Sequence, residues 1–154
     1  MGSSGVTVIA TAARPTCVVA RQTTWSEFPS VWRAMLDEVY AVVRPAGADR
    51  VGGDEERWQN AMLYKDDVPN VEVGVLAAGP FSDAGNVISS ALPAGVTAGA
   101  IHRGPYAELH LTHRAVRDWC AAHGRRLAGP RWEIYGHWRG DPNDLETEVY
   151  YLLG

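Results

Sequence analysis

Apolar residues recur along this chain at two spacings, and the change of spacing marks the change of element. Val6 to Ala13 and Cys17 to Thr24 are rich in β-branched residues and read as strands, with Arg14-Pro15 between them. From Phe28 the period becomes helical: Phe28, Trp32, Met35, Leu36, Val39, Tyr40 and Val43 fall on one wide stripe. Ser26 is placed to cap this helix, Pro29 falls in its tolerant first turn, and Arg44-Pro45-Ala46-Gly47 stops it. Asp49 to Glu56 reads as a polar loop. Asn60 to Lys65 and Val71 to Ala77 then read as a hairpin joined by Asp66-Asp67-Val68-Pro69-Asn70, and Gly79 to Ser90 as a loop with a short strand.

The second half repeats that order. Val96 to Arg103 reads as a strand, and Gly104-Pro105 opens a helix with Pro at the first helical position. Leu109, Thr112, Val116, Trp119 and Cys120 form its inner stripe, and Gly124 closes it. Trp132 to Trp138 and Glu146 to Leu153 make a closing hairpin. Ala20 to Trp25 lies opposite Ile101 to Tyr106 in this repeat, Met62-Leu63-Tyr64 opposite Glu133-Ile134-Tyr135, and Val71 to Leu76 opposite Thr147 to Leu152. Neither half could bury one face of its sheet alone. The prediction is a single α+β domain over residues 6–154, built from strand–helix–strand–strand repeats at about 6–78 and 94–153. A pseudo-twofold would relate them across an antiparallel sheet, with a ligand cleft where they meet. Residues 1–5 lack a signal-peptide pattern and read as a disordered start or tag remnant.

Composition narrows the function classes. The chain has 154 residues, 46% of them hydrophobic and 21% charged, with a net charge of −4 that argues against a stand-alone nucleic-acid binder. Only two cysteines occur, Cys17 and Cys120, with no disulfide framework or metal spacing, which suits free thiols in a reducing cytoplasm. No apolar run approaches the roughly 20 residues that span a bilayer. Six Trp and six Tyr against two Phe is an unusual balance, and amphipathic aromatics favour binding surfaces.

The chemistry concentrates in Pro130-Arg131-Trp132-Glu133-Ile134-Tyr135-Gly136-His137-Trp138. On a strand, Glu133, Tyr135 and His137 share one face, and Trp132, Ile134 and Trp138 the other. A carboxylate among aromatic rings is costly to bury without a partner and suited to hold a flat organic cation. Tyr135 can stack or donate a hydrogen bond, and His137 can share a proton with Glu133. Tyr64 is the first-repeat counterpart of Tyr135 and Met62 that of Glu133. Met62 is either plain core or a soft wall suited to variable ligands. Trp25, Phe81, Tyr106 and Trp138 are candidate walls, with Glu148 and Tyr150 facing the same cleft from the neighbouring strand. Trp32 and Trp119, on helix stripes, read as core. His110 and His113 are three apart on a helix, but no third ligand has recognisable spacing among the five histidines, so no metal or other cofactor is expected. No nucleophile motif, phosphate loop or dinucleotide fingerprint occurs.

Taken in order, Leu92-Pro93-Ala94-Gly95, His102-Arg103-Gly104-Pro105-Tyr106, Trp132-Glu133-Ile134-Tyr135 and Thr147-Glu148-Val149-Tyr150 resemble the gyrase-inhibitor-like (GyrI-like) small-molecule-binding domain. That fold is the effector-binding half of several multidrug-sensing bacterial transcription activators. The resemblance runs over nearly all of Val6 to Leu153. It implies a two-repeat sheet with helices on its outer face, Glu133 at the floor of a central cleft with Tyr135 beside it, and Tyr106 near the rim. Two departures are visible: Leu152-Leu153 stands where many relatives have Pro in the last strand, and no helix-turn-helix or coiled coil is read. The function implied first is a binder of hydrophobic, aromatic and often cationic molecules, with no direct nucleic-acid or membrane contact. The second is a hydrolase, since some stand-alone relatives open cyclopropane-bearing genotoxins; Glu133 would be the base and Tyr135 or Tyr106 the acid. The family name suggests a third, interaction with gyrase.

Overall fold

The helical stripe of the first half becomes α1 (Phe28–Ala46), whose buried face is Phe28, Met35, Val39 and Val43. In the computed structural model the described residues are 5–46, 58–79 and 81–154. The expected start at residues 1–4, Gly47 and the expected polar loop from Asp49 to Glu56 lie outside them. The chain enters α1 through Thr24, whose hydroxyl accepts from the Glu27 N–H at 3.2 Å and whose carbonyl accepts from Phe28 at 2.9 Å. Ser26, expected as the cap, instead shares a bond with the Thr24 hydroxyl. The second helix, α2 (Leu109–Ala122), follows a single 3-10 turn at Tyr106–Glu108. Pro105 precedes that turn in extended backbone rather than opening the helix. Gly124, at φ +65°, reverses the chain after α2, and the Arg125 N–H reaches back to the Cys120 carbonyl at 2.9 Å.

Among the described residues eight strands form one antiparallel sheet: β1 (Thr7–Thr11), β2 (Arg14–Gln22), β3 (Asn60–Tyr64), β4 (Asn70–Leu76), β5 (Val87–Leu92), β6 (Gly95–Arg103), β7 (Leu127–Tyr135) and β8 (Glu146–Leu153). Their order is β1-β6-β8-β7-β3-β4-β2-β5. β1 and β2 run on as one ribbon against β5 and β6: Thr11 faces Gly95 and Arg14 faces Leu92, so the register carries unbroken across the interruption. Thr11 Oγ1 bonds the Gly95 carbonyl there at 3.2 Å. Each half of the sheet therefore takes its outer strand from the chain segment that leads into the other half. The α+β architecture of two related units is as expected.

The two units meet at the β3–β7 pair, where Met62 stands opposite Glu133. The pseudo-twofold passes through that pair, since the offset that carries Tyr64 to Tyr135 exchanges Met62 and Glu133. On the helices, Phe28, Met35 and Val39 recur as Leu109, Val116 and Cys120 with identical spacing, and all six are buried. Each unit also has one crowded cross-strand pair in which a glycine makes room. Val18 faces Gly74 in the first and Tyr150 faces Gly99 in the second, so the glycine has changed strands between them. A Cβ at Gly74 would lie 1.9 Å from the Cys17 carbonyl oxygen, and one at Gly99 would lie 2.7 Å from the Tyr150 ring.

α1 packs on Val19, Val71, Val73 and Val75, and α2 on Ala98, Val149 and Tyr151. A third cluster, Leu63, Leu92, Trp132 and Ile134, covers the opposite face of the sheet, with Tyr150 and Leu152 against it. At about 1.5 kcal/mol or more for each fully buried Val, the helix-facing cores dominate the stability. Both cysteines are buried free thiols, and burial pushes the Cys17 thiol up to about 11. Among the described residues no helix is long and apolar enough to cross a membrane.

Candidate functional site

Both helices stand over one face of the sheet, and the groove between them has β3 and β7 as its floor. Alternation on β7 aims Glu133, Arg131 and Tyr135 into this groove while Trp132 and Ile134 enter the opposite core. Glu133 is only 4% exposed. An isolated carboxylate there would cost several kcal/mol, so its partners decide whether the site is tenable. Tyr64 donates to Oε1 at 2.8 Å, and Tyr135 donates to the same oxygen. His113, on α2, lies 2.6 Å from Oε2 through Nε2. The His113 Nδ1 is 2.7 Å from the Tyr151 hydroxyl, which accepts from Arg117 at 2.9 Å.

These bonds join Tyr64, Tyr135, Glu133, His113, Tyr151 and Arg117 into one network. The His113 ring bridges the carboxylate and the Tyr151 hydroxyl, one nitrogen to each, and the Tyr151 oxygen accepts from Arg117. Both carboxylate oxygens, both imidazole nitrogens and the Tyr151 hydroxyl therefore have partners. Burial first, then the charge of Glu133, hold the Tyr64 and Tyr135 hydroxyls well above the ordinary phenol range. Both therefore remain donors. The Met62 sulfur lies beneath the two hydroxyls, 3.6 Å from Tyr64 and 3.4 Å from Tyr135.

Glu133 and Tyr64 border two cavities. The larger, about 560 Å³, runs along α1 and is walled by Phe28, Trp32, Leu36, Tyr40, Trp58, Leu109 and Met62, with Tyr106, Tyr135, His137 and Trp138 around it. Tyr106 meets Tyr135 edge-on at 5.6 Å. Arg44 also lines it, laid 4.7 Å over the Tyr40 ring, and Tyr40 donates to Asn60 at 2.6 Å. The smaller cavity, about 340 Å³, runs along α2 and includes Trp25, His113, Arg117, Arg131 and Tyr151. Trp25 is held there by an indole bond to the Asp67 carbonyl at 3.1 Å, and its ring lies 5.6 Å from that of Tyr64.

Of the residues expected at the site, Glu133, Tyr135, Tyr64, Met62, Tyr106, Trp25, His137 and Trp138 all border one of these cavities. Phe81 and Tyr150 do not. Phe81 packs against the first-half core. Tyr150 is one position out of phase with Val149, so it lies on the opposite face, packed on Trp132 and donating to Glu148 at 2.5 Å. Burial first, then that bond, pushes the Tyr150 hydroxyl up to about 12. Glu148 is on that far face with it. The Glu133 face does not extend to His137, because β7 ends at Tyr135; His137 and Trp138 line the cavity from the segment beyond. The histidine that bonds Glu133 is His113, which the sequence offered only as half of an incomplete metal pattern. Trp32 and Trp119, expected in the core, each pack half-buried against a core cluster; Trp32 also walls the larger cavity, and Trp119 stacks on His123. Trp58 and Arg117 belong to no motif of the sequence, and Arg131 stands in the Pro130 to Trp138 stretch without a role of its own. Among the described residues no group of His, Cys, Asp and Glu could hold a metal ion.

Comparison with known proteins agrees with this architecture. The chain matches the C-terminal domain of EcmrR at 18% identity and TM-score 0.73, covering 97% of this chain and 96% of that one. It covers 56% of EcmrR as seen in a DNA complex. It matches SAV2435 bound to tetraphenylphosphonium at 10% identity and TM-score 0.67, covering 97% and 93%. A hydrolase encoded by lin2189 from Listeria innocua matches at 11% identity and TM-score 0.67, covering 98% and 92%. At these identities the likeness is one of fold. No curated protein matches at sequence level. The signature of the GyrI-like small molecule binding domain matches residues 58–153, well over half of the chain, and the protein belongs to that family.

Proposed function

We propose that the protein binds hydrophobic aromatic cations in the larger cavity, with Glu133 as the charge that orients them. The observation that carries this reading is the bonding around Glu133. Three side chains, Tyr64, Tyr135 and His113, bond its carboxylate at the floor of a cavity walled by Trp and Tyr. Aromatic faces add their own attraction for a cation. The tetraphenylphosphonium bound to SAV2435 is a ligand of the same chemistry, and Met62 and the aromatic walls can repack around ligands of different outline.

Calorimetric titration with tetraphenylphosphonium and with tetraphenylborate, its isosteric anion, tests this directly. The cation is expected to bind at least tenfold more tightly, and Glu133→Gln to remove most of that preference. Equal affinity of the wild-type protein for the two ions would refute the charge role.

A hydrolytic reading is favoured by one feature of the same site: a buried carboxylate beside two phenols that stay protonated. Glu133 would take a proton from water, and Tyr135 or Tyr106 would hydrogen-bond the carbonyl of a strained, cyclopropane-bearing substrate. A product heavier by one water, formed faster than in buffer and lost in Glu133→Gln, supports it; no such product removes it.

A further inference from the structure

The pseudo-twofold that relates the halves also relates the two cavities, and it converts one chemistry into another. Trp32 and Leu36 of α1 stand where His113 and Arg117 stand on α2. Tyr106 on Tyr135 corresponds to Trp25 on Tyr64, and both pairs of rings are 5.6 Å apart. Asn60 beside the larger cavity corresponds to Arg131 beside the smaller one. An apolar lobe and a basic lobe thus lie back to back on Glu133.

We propose that the smaller lobe is an anion-accepting subsite for a compact aromatic carboxylate, or for a carboxylate arm of a larger aromatic ligand. Arg117 has no carboxylate partner among the described residues; its one bond is to the Tyr151 hydroxyl, which leaves its remaining N–H groups for a ligand. Arg131 is held rigid in the same wall: it bonds the Gly129 carbonyl at 3.0 Å and Asp67 at 2.8 Å and lies 5.3 Å over the Trp25 ring. His110 also borders the lobe, its Nδ1 taken by the Ala107 carbonyl at 3.0 Å. The acidic group in this lobe is Glu133, and the oxygen that faces α2 is covered by His113. A guanidinium with free donors is the side chain best matched to a carboxylate. Trp25 and Tyr64 supply the platform for an attached ring. A ligand reaching both lobes would be amphoteric, with its cationic aromatic body along α1 and its anionic arm along α2.

Calorimetric titration with benzoate and with benzamide, its neutral isostere, separates charge from shape. Benzoate is expected to bind about tenfold more tightly, the scale of one charge-assisted hydrogen bond, and to weaken as salt is raised. Arg117→Leu, which gives α2 the residue that α1 has, should abolish the preference, and Arg117→Lys should keep part of it. Circular dichroism and a thermal melt establish that each variant is folded. Should Arg117→Leu not fold, the wild-type comparison of benzoate with benzamide decides alone. Equal binding of the two, or a benzoate affinity untouched by Arg117→Leu, overturns the proposal. Failure of tetraphenylphosphonium to bind would remove the cation reading of the larger lobe and leave the benzoate result standing.

Discussion

The two halves of this protein share a backbone plan and differ in what they put at equivalent positions. In the first, α1 presents Trp32 and Leu36 to the cleft and β3 presents Met62. In the second, α2 presents His113 and Arg117 and β7 presents Glu133. The positions that build the scaffold are alike in burial and size: Phe28 with Leu109, Met35 with Val116, Val39 with Cys120. The halves also differ away from the groove, as in Glu38 against Trp119 and Ala61 against Trp132, but on the groove the differences change its charge. A duplicated fold can therefore keep its core and turn a symmetric groove into a polarised one.

The largest effect is expected where the halves solve the same packing problem differently. A Cβ at Gly74 meets backbone at 1.9 Å, whereas one at Gly99 meets the edge of a tyrosine ring at 2.7 Å. Backbone in mid-sheet cannot give way, but a ring can tilt. Gly74→Ala should cost about 3 kcal/mol or more and Gly99→Ala about 1–2 kcal/mol, by urea denaturation. A similar loss in both would mean that Tyr150 is held as firmly as the sheet itself. Truncating that ring in Tyr150→Ala together with Gly99→Ala should recover the steric part of the loss.

Next in size is the pair on the axis. Glu133→Met makes both central residues sulfur-bearing and removes the acidic end of the groove. Tetraphenylphosphonium affinity should fall about 30-fold or more, the consequence of losing a buried charge contact worth ~2 kcal/mol or more. An unchanged affinity would show that the aromatic walls do the binding and that the difference between the halves is idle with respect to cations.

His113 sets a third, smaller contrast with its counterpart Trp32. Removing the imidazole in His113→Ala leaves Oε2 of Glu133 without its 2.6 Å partner, a loss of about 1–3 kcal/mol. Water entering from the smaller cavity sets the low end of that range. In a double-mutant cycle with Glu133→Ala the two substitutions should cost less together than their sum. Strict additivity would mean that the bond contributes nothing to stability.

Much of this was legible in the chain because periodicity reports burial. The helix stripe from Phe28 to Val43 and the final strand from Glu146 to Leu153 are where their spacing puts them. Glu133 was legible too, as a carboxylate among rings on a strand. Tyr150 lies off the cleft, which alternation does not show because it gives two faces without naming the one turned to the cleft; only its pairing with Gly99 and Trp132 decides. Alternation puts His137 on the Glu133 face and is silent on His113, because it reports neighbours along one strand and not neighbours in space. β7 ends at Tyr135, while α2 crosses over the sheet and brings His113 in from twenty positions away. Trp32 reads as core by its stripe and lines a cavity because two helices set on two halves of one sheet leave a gap between them. Arg117 and Arg131 look like ordinary surface charges until the repeat is superposed on itself.

The smallest expected effect tests whether the charge at the axis acts equally on both halves. Tyr64 and Tyr135 are counterparts, and burial followed by the Glu133 charge raises both. The folded protein thus keeps phenol protons that an unfolded chain loses above the ordinary value of about 10. Stability from these groups is whole below that value and declines as the pH rises past it toward the folded one, since the native state then binds more protons than the unfolded. Ultraviolet titration should show two tyrosines ionising last, together with unfolding. In Glu133→Gln the charge is gone while the burial stays, so both should ionise earlier and by a similar amount. If only Tyr135 moves, the carboxylate belongs electrostatically to its own half, and the axis shared by the two lobes is geometric rather than chemical.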